Sequence, residues 1–164
     1  VTVLEANEIS AEVNSLSSEI SVDDNAFVLL RMQNKARGII WVSSAATGGE
    51  NGLKIRVYGT KGSIEWLQDD PNNLKFTELD KPMQVITRAS KLVSKFSLSS
   101  SRIAAGHPEG FFEAFANIYS EFADQIHNKN KKYLFPTIDD GVAGIKFIYA
   151  AKKSSNLNSK WIKI

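Results

Sequence analysis

Hydrophobic and polar side chains alternate along the first half of the sequence with the two-residue period of β-strands. The clearest example is the segment 53–58, in which Leu53, Ile55 and Val57 are each followed by a polar or amphipathic residue. Similar patterns predict further strands over 3–13, 26–33, 38–45, 63–67, 74–79 and 83–88, and a last short strand over 161–164. Most connections between them are short, so neighbouring strands should pair antiparallel.

The second half of the sequence changes to a helical period. Apolar side chains recur every three or four residues within 108–127; they are Phe111, Phe112, Phe115, Ile118, Tyr119, Phe122 and Ile126. We predict a helix from Pro108 to about His127 that packs this stripe against a sheet, since proline suits the first helical position. The serine-rich stretch 92–101 before it is expected to be a mobile surface loop.

A second helix is predicted to begin at Thr137. Thr137 and Asp140 have the spacing of a capping box, and Asp139 adds to the negative charge that favours a helix start. The buried stripe should consist of the apolar residues Ile138, Val142, Ile145 and Tyr149. Strands followed by helices indicate an α+β fold, with one mostly antiparallel β-sheet of about six to eight strands and helices packed on one face.

Composition narrows the classes of partner. The chain of 164 residues has 20 basic and 18 acidic side chains, and a net charge of +2 gives no sustained basic surface for nucleic acid. Cysteine is absent, and no apolar run approaches the roughly 20 residues that cross a bilayer. Neither nucleic acid nor a membrane is therefore expected as a partner, and the cytoplasm is the expected location. We expect a single domain over 1–164, and the start at Val1 without methionine suggests that a preceding segment has been removed.

Residues for a cofactor or metal site do not occur at the required spacing. A dinucleotide site needs a glycine-rich turn between a strand and a helix, whereas the glycines at 48–52 and 59–62 fall between predicted strands. His107 and His127 lie at opposite ends of one predicted helix, about 30 Å apart by its rise per residue, so they cannot share a metal. We expect no catalytic residue, cofactor site or metal site within this chain.

Several motifs occur in the order of a known family. The segment 52–66, GLKIRVYGTKGSIEW, resembles the hairpin of the second domain of Gfo/Idh/MocA oxidoreductases. The segment 106–119, GHPEGFFEAFANIY, is similar to a helix start in a sugar-dehydrogenase branch, and PTIDDG at 136–141 matches the family's closing helix. The resemblance implies a C-terminal domain of the dihydrodipicolinate/glucose-fructose oxidoreductase type.

The resemblance also implies parts that this chain lacks. These are an N-terminal Rossmann domain that binds NAD or NADP and a catalytic lysine in a Glu-Lys-Pro motif. Lys81 precedes Pro82 but follows Asp80 in a strand connection, so the catalytic role is not assigned to Lys81. The implied function is substrate binding and oligomerisation for an oxidoreductase of a sugar, inositol or related polyol. The alternative is a free-standing dimerisation or ligand-binding module without activity.

Two residues are candidates for substrate binding. His107 precedes Pro108 at the N-cap of the predicted helix, where the dipole favours a neutral imidazole that can both donate to and accept from a hydroxyl. The family resemblance favours His107 as a substrate residue, and the alternative is a helix cap. Arg102 would bind a phosphate or carboxylate of the substrate, or it serves only surface solubility.

One face of the sheet is expected to remain uncovered by helices. The apolar segment 39–42, with Trp41 among its residues, would suit contact with a second subunit, so a homodimer or tetramer is expected through this face. Trp41 and Trp66 are interpreted as core or interface residues, with stacking on a sugar ring as the alternative.

Overall fold

The computed structural model describes residues 5–18, 21–128 and 135–164. They belong to two compact units: unit one is Val1–Gly48 with Pro136–Ile164, and unit two is Gly49–Phe135. In chain order the elements are β1 (Ala6–Asn14), β2 (Asn25–Met32), β3 (Arg37–Ser43), β4 (Lys54–Gly59), β5 (Gly62–Leu67), β6 (Asn73–Glu78), β7 (Gln84–Thr87), α1 (Lys95–Ser99), α2 (Phe111–His127), α3 (Ile138–Asn156) and β8 (Ile162–Lys163). The α+β class is confirmed, whereas the single domain over 1–164 stays a prediction; residues 3–4 of the first predicted strand lie outside the described ranges.

The strands of the described ranges form two sheets, where the pattern predicted one. The strand order is β3-β2-β1-β8 in unit one and β4-β5-β6-β7 in unit two, and the paired strands are antiparallel. The connection 44–53 has left-handed backbone at Gly48, Glu50 and Gly52, and the strands that it joins, β3 and β4, belong to different sheets. Alternation could not predict this break, because it reports the face that a residue occupies and not the neighbouring strand.

Unit one packs α3 against β1 through a small apolar core. Its buried hydrophobic residues are Ile9, Ala11, Val28, Ala150 and Ala151. Ala11 lies opposite Val28 in the register of β1 and β2, so the two share the face that contacts α3. Because the alanine side chains end at Cβ, the backbone of α3 can lie close to the strand.

Two serines of α3 complete the hydrogen bonding of β1 beyond its short pairing with β8. The Ser154 hydroxyl, which is 0% exposed, accepts from the Ala11 N–H at 2.8 Å and donates to the Lys160 carbonyl at 2.6 Å. The Ser155 hydroxyl accepts from the Val13 N–H at 3.0 Å and donates to the Val13 carbonyl at 3.1 Å. Side chains thus pair the strand edge where strand pairing stops.

Unit two separates apolar and charged side chains onto opposite faces of its sheet. The half-buried apolar face consists of Ile55, Val57, Ile64, Trp66, Leu74, Phe76 and Ile86. On the other face, Glu65 lies 2.7 Å from Arg56, 2.9 Å from Lys75 and 3.7 Å from Lys54. The hydrogen bond from Lys75 and the charges of these cations hold the pKa of Glu65 below its ordinary value.

The helices bury different residues from those predicted. The side of α3 that packs on the core contains Phe147, Ala150, Ala151 and Ser154, whereas the predicted stripe is exposed, with Ile138 at 85%. Small side chains allow the closer approach to β1, but a hydrophobic pattern gives most weight to large ones. The predicted stripe of α2 is exposed as well, and α2 contains no buried residue.

The helix ends follow the predictions only in part. Thr137 caps α3 as predicted, and the Asp140 carboxylate accepts from the Thr137 N–H at 2.7 Å, which lowers the pKa of Asp140. The predicted loop 92–101 contains α1 instead, because the Ser94 hydroxyl accepts from the Ser97 N–H and caps a short helix.

Among the described residues, no helix combines the length and the hydropathy needed to cross a membrane.

Replacing Ser154 with alanine is expected to lower the free energy of unfolding by about 2–4 kcal/mol, because a buried N–H and a partly buried carbonyl lose their partner. Denaturant-induced unfolding followed by far-UV circular dichroism measures the change. Ser21→Ala, at an exposed position of unit one, is the matched control and should change this free energy by less than about 0.5 kcal/mol. An equally small loss at Ser154 would contradict the role of its hydroxyl.

Candidate functional site

His107 lies in the connection that leads into α2 and not at the cap of that helix. α2 begins at Phe111 with Gly110 as its N-cap. His107 stands in a preceding turn, where its N–H donates to the Ala104 carbonyl at 3.3 Å and its side chain is exposed. Gly106, with φ of 86°, provides the left-handed backbone of this turn. The predicted cap role of His107 is therefore wrong, and the dipole argument for its neutral imidazole does not apply.

Glu113 fixes the start of α2. Its carboxylate accepts from the Gly110 N–H at 2.8 Å. This backbone hydrogen bond is the main reason that the pKa of Glu113 lies below its ordinary value of 4.5, with smaller contributions from the charges of Arg102 and Arg88. Pro108 is therefore not the first helical residue, because the pairing at Gly110 begins the helix later.

Arg88, directly after β7, holds the segment 102–109, which we call the His107 segment. Its Nη2 donates to the carbonyls of Ala104 and His107 at 3.0 and 2.6 Å, and its Nη1 donates to that of Ile103 at 3.1 Å. Its Nε donates to Asn72 Oδ1 at 3.1 Å. The Arg88 side chain is only 15% exposed. One planar guanidinium therefore fixes the backbone on both sides of the turn.

Glu109 closes the His107 segment from its other end. Its Oε1 accepts from the N–H groups of Arg102, at 2.6 Å, and Ile103, and lies 3.2 Å from Arg88 Nη1. The Glu109 backbone N–H donates to Asn72 Oδ1 at 3.0 Å, and its carbonyl accepts from Asn72 Nδ2 at 2.9 Å. The Glu109 side chain is 7% exposed, so a nearly buried carboxylate is compensated by a cation and backbone donors.

A pocket of about 240 Å³ opens beside His107. Its lining residues are Asn72, Asn73, Thr87, Arg88, Gly106, His107 and Pro108. Asn72 and Arg88 are engaged with the His107 segment, whereas the hydroxyl of Thr87 and the imidazole of His107 belong to types that can both donate and accept hydrogen bonds. The volume is somewhat below that of pockets for drug-sized ligands, roughly 300 Å³ and more, so the pocket suits a small molecule.

Arg102, the other candidate, is engaged with α2. Its Nε donates to Asn117 Oδ1 at 2.8 Å, and its Nη2 donates to the Ala116 carbonyl and the Ser120 hydroxyl, each at 2.7 Å. These contacts join the start of the His107 segment to the helix that follows it. The predicted binding of an anion by Arg102 stays a prediction.

Trp41 and Trp66, the two tryptophans considered for sugar stacking, lie outside the residues that line this pocket. Trp41 is 63% exposed and stacks on Phe27 with ring centroids 6.1 Å apart. Trp66 is half-buried, and its Nε1 donates to the Pro71 carbonyl at 3.1 Å.

Sequence reasoning missed Arg88, Asn72 and Glu109. Asn72 falls in a predicted turn and Arg88 at the end of a predicted strand, where polar residues are common and carry no specific signal. The backbone groups that Asn72 and Arg88 bind are 15 or more residues away in the chain, and those that the Glu109 carboxylate binds are six and seven residues away. Only the folded arrangement brings them together.

The described residues contain no cluster of three or more histidine or acidic side chains that could hold a metal ion. The glycines at 48–52 and 59–62 lie between strands, so they do not form the strand–turn–helix arrangement that cradles a dinucleotide phosphate. The expectation that this chain contains no cofactor site stays a prediction.

Residues 3–164 match the Gfo/Idh/MocA oxidoreductase family in its C-terminal alpha/beta domain, and the chain belongs to this family. The resemblance seen in the sequence is thus confirmed.

Several relatives are similar to nearly the whole chain. The oxidoreductase YfiI of Bacillus subtilis (strain 168) is 36% identical over 155 residues, which are 90% of this chain and 39% of YfiI. An oxidoreductase from Sinorhizobium meliloti is 47% identical with a TM-score of 0.94, over 98% of this chain and 47% of that one. An inositol dehydrogenase homologue from Azotobacter vinelandii, complexed with NADH and myo-inositol, is 30% identical with a TM-score of 0.91. The similarity covers 99% of this chain and 45% of that one. The chain thus spans less than half the length of each of these relatives.

Glu113→Gln is expected to destabilise the chain near neutral pH and to have a smaller effect in acid. Because the pKa of Glu113 is depressed in the folded state, its carboxylate stabilises the fold at pH values above 4.5. This contribution is lost as the pH falls through the folded-state pKa. Melting temperatures of both proteins at pH ~7 and pH ~3.5 give the comparison. A difference that stays constant with pH would contradict a charged cap, and Glu50→Gln in the 44–53 connection is the control.

Proposed function

We propose that this chain supplies the substrate side of an NAD- or NADP-dependent oxidoreductase that acts on a sugar, inositol or related polyol. The observation that carries the proposal is the similarity along almost the entire chain to the Azotobacter vinelandii inositol dehydrogenase homologue, whose structure contains NADH and myo-inositol. The pocket beside His107 supports it, because a small volume with hydrogen-bonding groups suits a hydroxylated substrate.

His107 is the residue that we propose to contact the substrate. His107 is exposed and lines the pocket, and its backbone carbonyl is held at 2.6 Å by Arg88. An imidazole can form hydrogen bonds with the hydroxyl groups of a polyol. We propose that Arg102 anchors the start of this segment to α2, because its guanidinium already has three hydrogen-bond partners on that helix.

The cofactor and the catalytic lysine are proposed to come from an N-terminal Rossmann domain outside this chain. The relatives are more than twice as long as the chain, which leaves room for such a domain. The exposed apolar stripes of α2 and α3, with Phe112 at 83% and Ile138 at 85% exposure, are the surfaces that we propose for its contact.

Self-association is a second proposed role, through the face of the unit-one sheet that points away from α3. The register places Leu29 beside Ile39 and Phe27 beside Trp41 on this face, and all four side chains are exposed. The other two residues of the segment 39–42, Ile40 and Val42, lie on the opposite face of the sheet. An apolar patch of this kind on a sheet is typical of a subunit interface.

In the full-length protein, His107→Ala is expected to raise the KM for the polyol by about ten- to a hundredfold, since one or two hydrogen bonds to the substrate are lost. Steady-state kinetics with myo-inositol and other polyols, in the presence of NAD or NADP, provide the measurement. Affinity for the nucleotide should stay within about twofold.

His127→Ala is the matched control, because it removes the exposed histidine at the far end of α2. This variant should leave the kinetics unchanged. Wild-type protein that oxidises no polyol would count against the proposed function and favour a binding or dimerisation module. Unchanged kinetics in His107→Ala would remove His107 from the site.

The chain is expected to form at least a dimer at micromolar concentration, and Ile39→Lys should weaken this dimer by roughly tenfold or more, because it would bury an unpaired charge. Light scattering over a concentration series measures the association. Ile138→Lys changes an equally exposed isoleucine on α3 and is the control. Dissociation by Ile138→Lys alone would assign the interface to α3.

A further inference from the structure

The His107 segment has little apolar packing to hold its shape. Within 102–108 every residue is exposed, including Ile103 at 44%, and the turn at Gly106 has left-handed backbone. Burial of hydrophobic surface therefore contributes little to the order of this segment. Its conformation depends on hydrogen bonds from side chains outside the turn.

The guanidinium of Arg88 supplies the bonds that act on the turn itself. It donates to three carbonyls, those of Ile103, Ala104 and His107, and one of these belongs to the histidine that we propose to contact the substrate. Glu109 and Asn72 pin only the ends of the segment, through Arg102, Ile103 and residue 109 itself.

We propose that Arg88 is a positioning residue that sets the orientation of the His107 imidazole toward the substrate pocket. The role of His107 in this inference rests on the proposed function. The control of the segment's conformation by Arg88 does not depend on it. Arg88 acts through the backbone, because its Nη2 lies 2.6 Å from the carbonyl of His107.

Lysine cannot replace arginine in this role. The acceptors of Arg88 lie on both sides of the turn and include Asn72 Oδ1, and the planar guanidinium reaches them with separate N–H groups. A lysine ammonium is a single point with three donors. It can keep the ion pair to Glu109, but it cannot hold all these acceptors at once.

The substitution Arg88→Lys therefore separates positioning from general stability. It keeps the charge beside the nearly buried Glu109 carboxylate, and the carbonyls that it releases belong to exposed residues and can turn to water. We expect the melting temperature to change little, while the His107 segment loses its fixed conformation.

The test uses the full-length protein with two measurements on each variant. In hydrogen–deuterium exchange of the peptide covering 102–109, the His107 N–H reports on the turn, because it donates to the Ala104 carbonyl that Arg88 holds. This N–H should exchange roughly tenfold faster in Arg88→Lys, as the turn is then no longer fixed. The KM for the polyol should rise by roughly the same factor, and nucleotide affinity should not change. Arg56→Lys, which retains a partner in Glu65 on the same sheet, should change neither quantity.

The outcomes separate this inference from the proposed function. Faster exchange with a raised KM supports both. Faster exchange in a protein that oxidises no polyol supports the control of the segment by Arg88 and overturns the proposed function. Unchanged exchange in Arg88→Lys overturns the inference, as does faster exchange with an unaltered KM in an active enzyme.

Discussion

Backbone N–H and carbonyl groups that neither a strand nor a helix pairs must find other partners, and both units depend on how side chains meet this requirement. In unit one, the hydroxyls of Ser154 and Ser155 pair the edge of β1 beyond the end of β8. In unit two, Arg88 donates to the carbonyls of the turn before α2. Glu109 accepts from the N–H groups at the start of the His107 segment. The first arrangement holds a helix on a sheet, and the second orders an exposed segment that has no core.

Features of local origin could be predicted from the sequence. The strands and the Thr137 cap arise from alternation and from side chains three residues apart, so both were found. The division into two sheets and the buried face of α3 depend on contacts between distant parts of the chain. The later start of α2 is local in origin, because the Glu113 carboxylate pairs the Gly110 N–H, but the sequence pattern predicted a start at Pro108. In α3 the small residues Ala150 and Ala151 face the core, and a search for large hydrophobic residues selects the opposite stripe.

The candidate site shows the same division. His107 was selected through its motif and does line a pocket, but the cap argument placed it one turn too close to α2. Arg88 could not be selected, because its importance comes from carbonyls whose positions only the fold determines. Membership in the oxidoreductase family rests on the whole chain. The geometry of the His107 segment shows that Arg88 and Glu109 hold its backbone, and it supports the proposal that His107 contacts a small molecule.

The close approach of α3 to β1 links the sizes of two side chains to the hydrogen bonds of two others. A larger residue at 150 or 151 would push the helix outward, and the hydroxyls at 154 and 155 would lose the Ala11 and Val13 N–H groups. These four positions should therefore change together during evolution: relatives that carry a bulkier residue at either alanine should also replace the serines and lengthen β8 along the strand edge.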